Sequence, residues 1–331
     1  METDALIKKA LRRKQDISGK LQLTAEQVTS LHKLSAELRT EAALQSIRLD
    51  PYWHKWDSPW WKVLLLSEAG YAQIIPREFL EELISVLDTH CLHVFPLTEA
   101  EMPANCNPYR DIMCHCALGS MYRVFEECGI EVRTRLPWWY NWLQKYQLPD
   151  GGYNCDEAAY TKSRKSSFLS TLPMLEAMLI VYQKTHNSYI KPLLDKGAQY
   201  LLKHSVYKSS SGKLIAGIWL SHSFPRYYDY DVLRGLSFLV DWAGETGSTL
   251  PSELVSDCFN QIEKQVNAEG YIILGENKLV EEGSLYYRKG EWIWDDKSTF
   301  FPALDLLSKA GEVSIPLTIK WYETLQKLSQ K

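Results

Sequence analysis

The sequence predicts an all-α protein, an (α/α)5–6 toroid in which helical hairpins make a double ring, with an N-terminal helical extension. Three observations carry this. Pro76, Pro137, Pro192, Pro251 and Pro316 recur at intervals of 61, 55, 59 and 65 residues, each opening a helix-like stretch where a missing N–H costs little. The stretches before these prolines include segments apolar almost all round, such as residues 168–181, which suits an inner ring enclosed by an outer one. No stretch keeps a sustained period-two alternation. Residues 1–50 form the extension packed on the ring, and 51–331 the toroid.

The elements follow in order. Thr24 and Gln27 have capping-box spacing, and Val28, Leu31, Leu38 and Ala42 continue a helix to about Asp50-Pro51. Ser58 and Pro59 open a helix through Leu64, Leu65 and Leu66 to Gly70, and Pro76 opens its partner. A proline-containing loop leads to a helix over 110–128, stopped by Gly129. Helices are expected over 138–146, 166–182, from Pro192 to about His204, from Val232 to Ala243 and from Pro251 to Val266. A Gly-containing loop over 270–290, a helix over 298–310 and a last helix after Pro316 complete the chain.

Composition bounds the function. Of 331 residues, 45% are hydrophobic and 24% charged, an ordinary balance for a globular protein with a large core. The unusual quantity is aromatic content, 12% with 12 Trp and 19 Tyr, which serves packing and apolar pockets alike. A net charge of −4 without a long basic block argues against a nucleic-acid partner. Lys8, Lys9, Arg12, Arg13 and Lys14 form a short basic segment that leaves peripheral membrane contact open, beside the plainer reading of a solvated terminal helix. No apolar run spans a bilayer and no secretory leader is read. Seven cysteines without a framework predict reduced thiols and a cytoplasmic location.

The segment Gln147-Leu148-Pro149-Asp150-Gly151-Gly152-Tyr153 resembles the Gln-x-x-x-Gly-x-Trp repeats of squalene/terpenoid cyclases, with Tyr in the Trp position. Gln265 to Tyr271 is a looser copy with one extra residue. Protein prenyltransferase β-subunits share the toroid and similar Gly-rich turns. The resemblance covers roughly residues 50–328 and implies a central, aromatic-lined cavity for an apolar, isoprenoid-like small molecule. The Asp-x-Asp-Asp proton donor of class II cyclases is absent. Its nearest counterpart, Trp294-Asp295-Asp296-Lys297-Ser298-Thr299, reads as a helix cap. The Asp, Cys, His zinc set of protein prenyltransferases and the zinc signature of lanthionine cyclases are not recognisable, although zinc stays open as a cofactor. No organic-cofactor motif is found.

Candidate residues come from two clusters. In Arg110-Asp111-Ile112-Met113-Cys114-His115-Cys116, Asp111 and His115 share a face if the stretch is helical, and the carboxylate would orient the imidazole. On an ideal helix Cys114 and Cys116 diverge too far to chelate one ion with His115. The competing reading is a buried helix with thiols as packing. In Tyr227-Tyr228-Asp229-Tyr230-Asp231, Asp229 caps, whereas Asp231 either caps or faces a ligand. Asp57, beside Trp56 and Trp60, has the same ambiguity. The expected catalytic set is therefore Asp111, His115, Asp231 and Asp57. Expected ligand-binding residues are Trp60, Tyr109, Phe168, Tyr227, Tyr228 and Trp294, and a metal would involve Asp111, His115 or Cys155. The function expected is acid–base catalysis on an apolar substrate. The alternatives are a non-catalytic lipid- or partner-binding ring and a metal-dependent or carboxylate-pair hydrolase.

Overall fold

A computed structural model describes residues 2–108, 110–276, 285–288, 291–294 and 301–330. Among the described residues the chain is all-α apart from a short hairpin. Helix α1 (Glu2–Ile17) is followed by α2 (Ala25–Glu37), whose Thr24–Gln27 capping box forms as expected, and by α3 (Glu41–Leu49). Five hairpin-like units follow. They are α4 (Pro59–Glu68) with α5 (Arg77–Thr89), then α6 (His115–Glu127) with the short α7 (Val132–Arg135) and α8 (Trp138–Lys145). Next come α9 (Phe168–Thr185) with α10 (Ile190–Lys203), α11 (Val232–Thr246) with α12 (Ser252–Glu263), and finally α13 (Pro302–Asp305) with α14 (Ile315–Ser329).

The periodic prolines sit where their chemistry allows. Pro76, Pro137 and Pro251 are N-caps of α5, α8 and α12, and Pro192 and Pro316 lie in the first turns of α10 and α14. Three expectations shift. The helix read from residue 110 begins at His115. The helix read over 298–310 is only α13 within the described residues. The loop read over 270–290 reaches a hairpin of β1 (Leu285–Arg288) and β2 (Glu291–Trp294), paired antiparallel with Leu285 opposite Trp294. Four-residue strands are too short to announce themselves by alternation.

The inner helices pack in chain order: α4 on α6, α6 on α9, α9 on α11, α11 on α14. Both termini close the ring, because α2 lies against α4 and α13, while α1 lies against α14 and α12. The tightest contact is between α6 and α9. A Cβ on Gly119 would stand 2.5 Å from the Pro173 carbonyl carbon, so the two backbones touch. Pro173, inside α9, lacks the N–H that would bond to the preceding turn, which loosens the helix at the contact.

The inner faces are held by ions as well as by apolar packing. Arg234 of α11 bonds both carboxylate oxygens of Glu176 on α9, at 2.8 and 2.7 Å, and Arg123 of α6 lies 3.8 Å from the same carboxylate. Arg123 also bonds Glu127, to which Ser67 of α4 donates. Glu68 accepts the backbone N–H groups of Arg226 and Tyr227 at 2.8 and 2.6 Å, pulling the segment before α11 toward α4. The enclosed space is a 280 Å³ cleft lined by Glu68, Arg123, Glu176, Arg226, Arg234 and Lys320 among others. The axis is thus charged.

Two consequences are testable. Gly119→Ala forces α6 and α9 apart and lowers stability by about 1–3 kcal/mol, read as a lower urea midpoint; an unchanged midpoint would refute the contact. Burial works against the Glu176 charge, yet Arg234 and Arg123 outweigh it and lower its pKa from 4.5 to about 2. The pair's stabilisation is then complete above pH 4.5 and is lost as pH falls through 2. Glu176→Gln should cost about 3 kcal/mol near neutral pH and flatten the acid limb of the stability curve.

Candidate functional site

The turn at 147–156 ties two hairpins together and aims a thiol. Gln147 Nε2 donates to the carbonyls of Gly151 and Leu193, and Asp150 accepts from the Ser166 amide and hydroxyl. Gly151 has φ +105°, and a Cβ there would stand 2.2 Å from the Lys196 carbonyl oxygen, so only glycine fits. Tyr153, wholly buried, donates from its hydroxyl to Leu143 O and from its amide to Thr171 Oγ1. The chain then delivers Cys155, whose N–H bonds Ser170 Oγ on α9 at 3.1 Å.

Cys155 meets two thiols from the start of α6. Cys114 is the N-cap, with extended backbone (φ −79°, ψ 157°), so its side chain leaves the helical wheel and turns toward Cys116. The Cys114 and Cys116 sulfurs are 3.1 Å apart, Cys116 and Cys155 are 3.8 Å apart, and all three lie within 4.8 Å of one another. Among the described residues this is the one group of three or more His, Cys, Asp or Glu ligand atoms gathered closely enough to hold a metal ion. Hydrogen bonding from Cys114 and Cys116 pushes the Cys155 thiol well below its ordinary pKa. The sequence-based expectation that Cys114 and Cys116 diverge assumed that both were helical; the cap overturns it.

A 720 Å³ cavity opens beside the thiols, lined by Tyr52, Trp53, Phe95, Met102, Ile112 and Met113, with Cys114 and Cys155 on its wall. It lies beside the segments that lead into α4 and α6 and the loop that carries Cys155. The aromatic-lined space expected from the sequence is therefore found at the rim, whereas the axis holds the ionic cleft.

The expected catalytic residues are not brought together. Asp111 precedes α6, accepts the Asn107 amide at 2.8 Å and sits 4.0 Å from Arg110, so it shares no helical face with His115. His115 is wholly buried and clamped at both ring nitrogens, accepting from Trp142 Nε1 at 2.9 Å and meeting Tyr160 OH at 2.7 Å. Because an indole N–H only donates, Nδ1 is bare and Nε2 carries the proton. Burial lowers its pKa to about 4, so the ring is neutral at pH 7. Tyr160 OH also accepts the Asn154 amide, so His115 braces the loop that carries Cys155.

Asp231 is the N-cap of α11, accepting the Arg234 amide at 2.7 Å, with His222 Nδ1 3.5 Å from its other oxygen. Burial opposes its charge, but Arg226 and His222 hold its pKa at about 2, so it is ionised. Asp57 is half-buried just before the Ser58 cap and lines none of the described cavities. Trp60 is wholly buried in the core. Tyr227 and Tyr228 stack on Trp56, at 5.5 and 5.9 Å between ring centres. Phe168 lines a separate 590 Å³ groove with Tyr200 and Trp219. Trp294 is 59% exposed on β2, and Tyr109, Asp295 and Asp296 fall outside the described residues. Sequence reasoning missed Cys114 and Cys116 as partners of Cys155, because no capping side chain before His115 marks where α6 begins.

No family model matches the chain, and no curated protein matches it. Among solved structures, it is similar to two variants of the type II terpene cyclase MstE from Scytonema in complex with geranylgeranyl dihydroxybenzoate. The two have 13% and 12% identity, each with a TM-score of 0.39, covering 92% of this chain and 88% and 87% of those chains.

The His115 clamp makes its own prediction. His115→Leu leaves the Trp142 N–H without its buried partner and Tyr160 with the Asn154 amide alone, and costs about 1–3 kcal/mol. Thermal unfolding reads the loss; a variant as stable as the parent would show that the clamp is not needed.

Proposed function

We propose that the protein is an enzyme that takes an apolar, isoprenoid-like small molecule into the rim cavity and acts on it beside Cys114 and Cys155. The single observation that carries this is the coincidence of a 720 Å³ space, largely apolar in its side chains, with a cluster of thiols on its wall. That volume suits a small organic ligand. Apolar walls supply affinity, and the sulfurs supply reactive groups at one end. Asp111, His115 and Asp231 enter this reading as positioning residues, because each is engaged by its own neighbours. That same engagement favours a second reading, a ring that binds its ligand without turning it over.

Farnesol and geranylgeraniol serve as probes. Saturable quenching of Trp fluorescence is expected with the intact chain, and at least tenfold weaker binding with Ala117→Trp, which fills the cavity from α6. Equal binding by that variant would place the ligand elsewhere. Turnover of a bound prenyl compound separates the enzyme from the pure binder.

A further inference from the structure

We infer that Cys114, Cys116 and Cys155 are the three protein ligands of a zinc ion whose fourth position opens into the rim cavity. The argument begins with distances. A tetrahedral zinc about 2.3 Å from each of three sulfurs sets them about 3.8 Å apart. The observed separations of 3.1 and 3.8 Å, with the third no longer than 4.8 Å, bracket that triangle. Three cysteines from two segments, 39 residues apart between Cys116 and Cys155, would have no reason to converge sulfur to sulfur for packing alone. At the sulfurs the three meet one another, with the Ser170 side chain also bonding Cys155 and the Ala117 backbone bonding Cys114.

The donor set selects the ion. Thiolates are soft ligands, and a redox-inert tetrahedral ion such as zinc fits three of them without demanding a particular electronic geometry. On binding, three Zn–S bonds form and the thiol protons pass to solvent. Cys114 sits at the N-cap of α6, where the helix dipole favours negative charge on sulfur. The supporting contacts are already in place. Ser170 holds the Cys155 amide, and the His115–Tyr160 pair holds the amide of Asn154.

No fourth protein ligand is at hand among the described residues. His115 is adjacent in sequence, but both of its nitrogens are taken by Trp142 and Tyr160. Cys114 and Cys155 line the cavity, so the remaining coordination position faces that space and accepts water or a substrate heteroatom. Three protein ligands with one open position is the arrangement of catalytic rather than structural zinc. The open position rests on the cavity reading proposed above, whereas the sulfur ligands stand independently of it.

Metal analysis of the purified full-length chain tests the site. About one zinc per chain is expected, retained in Cys106→Ser and reduced at least tenfold in Cys114→Ser, Cys116→Ser and Cys155→Ser. X-ray absorption at the zinc edge of the unaltered chain should show three sulfurs and one oxygen or nitrogen, and decides the question even where a variant fails to fold. Absence of zinc, a Cys114–Cys116 disulfide found by mass, or zinc kept by all three variants would overturn the site. A shell of four sulfurs would overturn the open position. Zinc without prenyl-alcohol binding would defeat the cavity reading and leave the metal site standing. Binding by a chain that carries no zinc would do the reverse.

Discussion

The contact between α6 and α9 is the constraint on which the rest depends. Gly119 lets the α6 backbone touch Pro173, and the two helices then run parallel, with Lys184 reaching Glu126 near their C-terminal ends. At their N-terminal ends the same packing sets the distance between Cys114 and Cys116 on one side and Ser170 on the other. Ser170 in turn fixes Cys155. The thiol cluster is thus a product of helix spacing more than of any local motif.

Ionic side chains decide where a ligand can go. Arg234, Glu176, Arg123 and Glu68 occupy the inner faces of four helices, and the segment carrying Arg226 and Tyr227 is drawn in among them. Desolvating so many charges is tolerated because each has a partner of opposite sign within about 4 Å. A large apolar molecule would have to break those pairs to lie on the axis. The rim, where Tyr52, Trp53 and Phe95 stand apart from the network, makes no such demand.

Much of this was legible in the sequence, for physical reasons that can be named. A proline at a helix start announces itself, so Pro76, Pro137, Pro192, Pro251 and Pro316 marked the hairpins. The Gln147–Tyr153 segment was legible through its resemblance to a known Gly-containing repeat. The site was harder. Whether Cys114 belongs to a helix or caps one changes its direction by far more than periodicity can sense, and that single backbone state separates divergent thiols from a cluster. Likewise nothing in the residues around His115 reveals that Trp142 and Tyr160, 27 and 45 positions away, would claim both of its nitrogens.

Ring closure by both ends has a kinetic meaning. Most hairpin contacts join neighbours in the chain and can form early, but the seam is made by α2 with α13 and by α1 with α14. The amide of Gln27 donates to the carbonyl of Leu306 across 279 positions. Such a contact must wait until nearly the whole chain is synthesised, and its loop-closure entropy falls on the last step. Until then the growing chain is an open arc, with α2 lacking α13 and the apolar surface of α11 lacking α14. Folding of this ring is therefore committed by its final helix, and the interval before that helix emerges is when the chain is most exposed to misassembly.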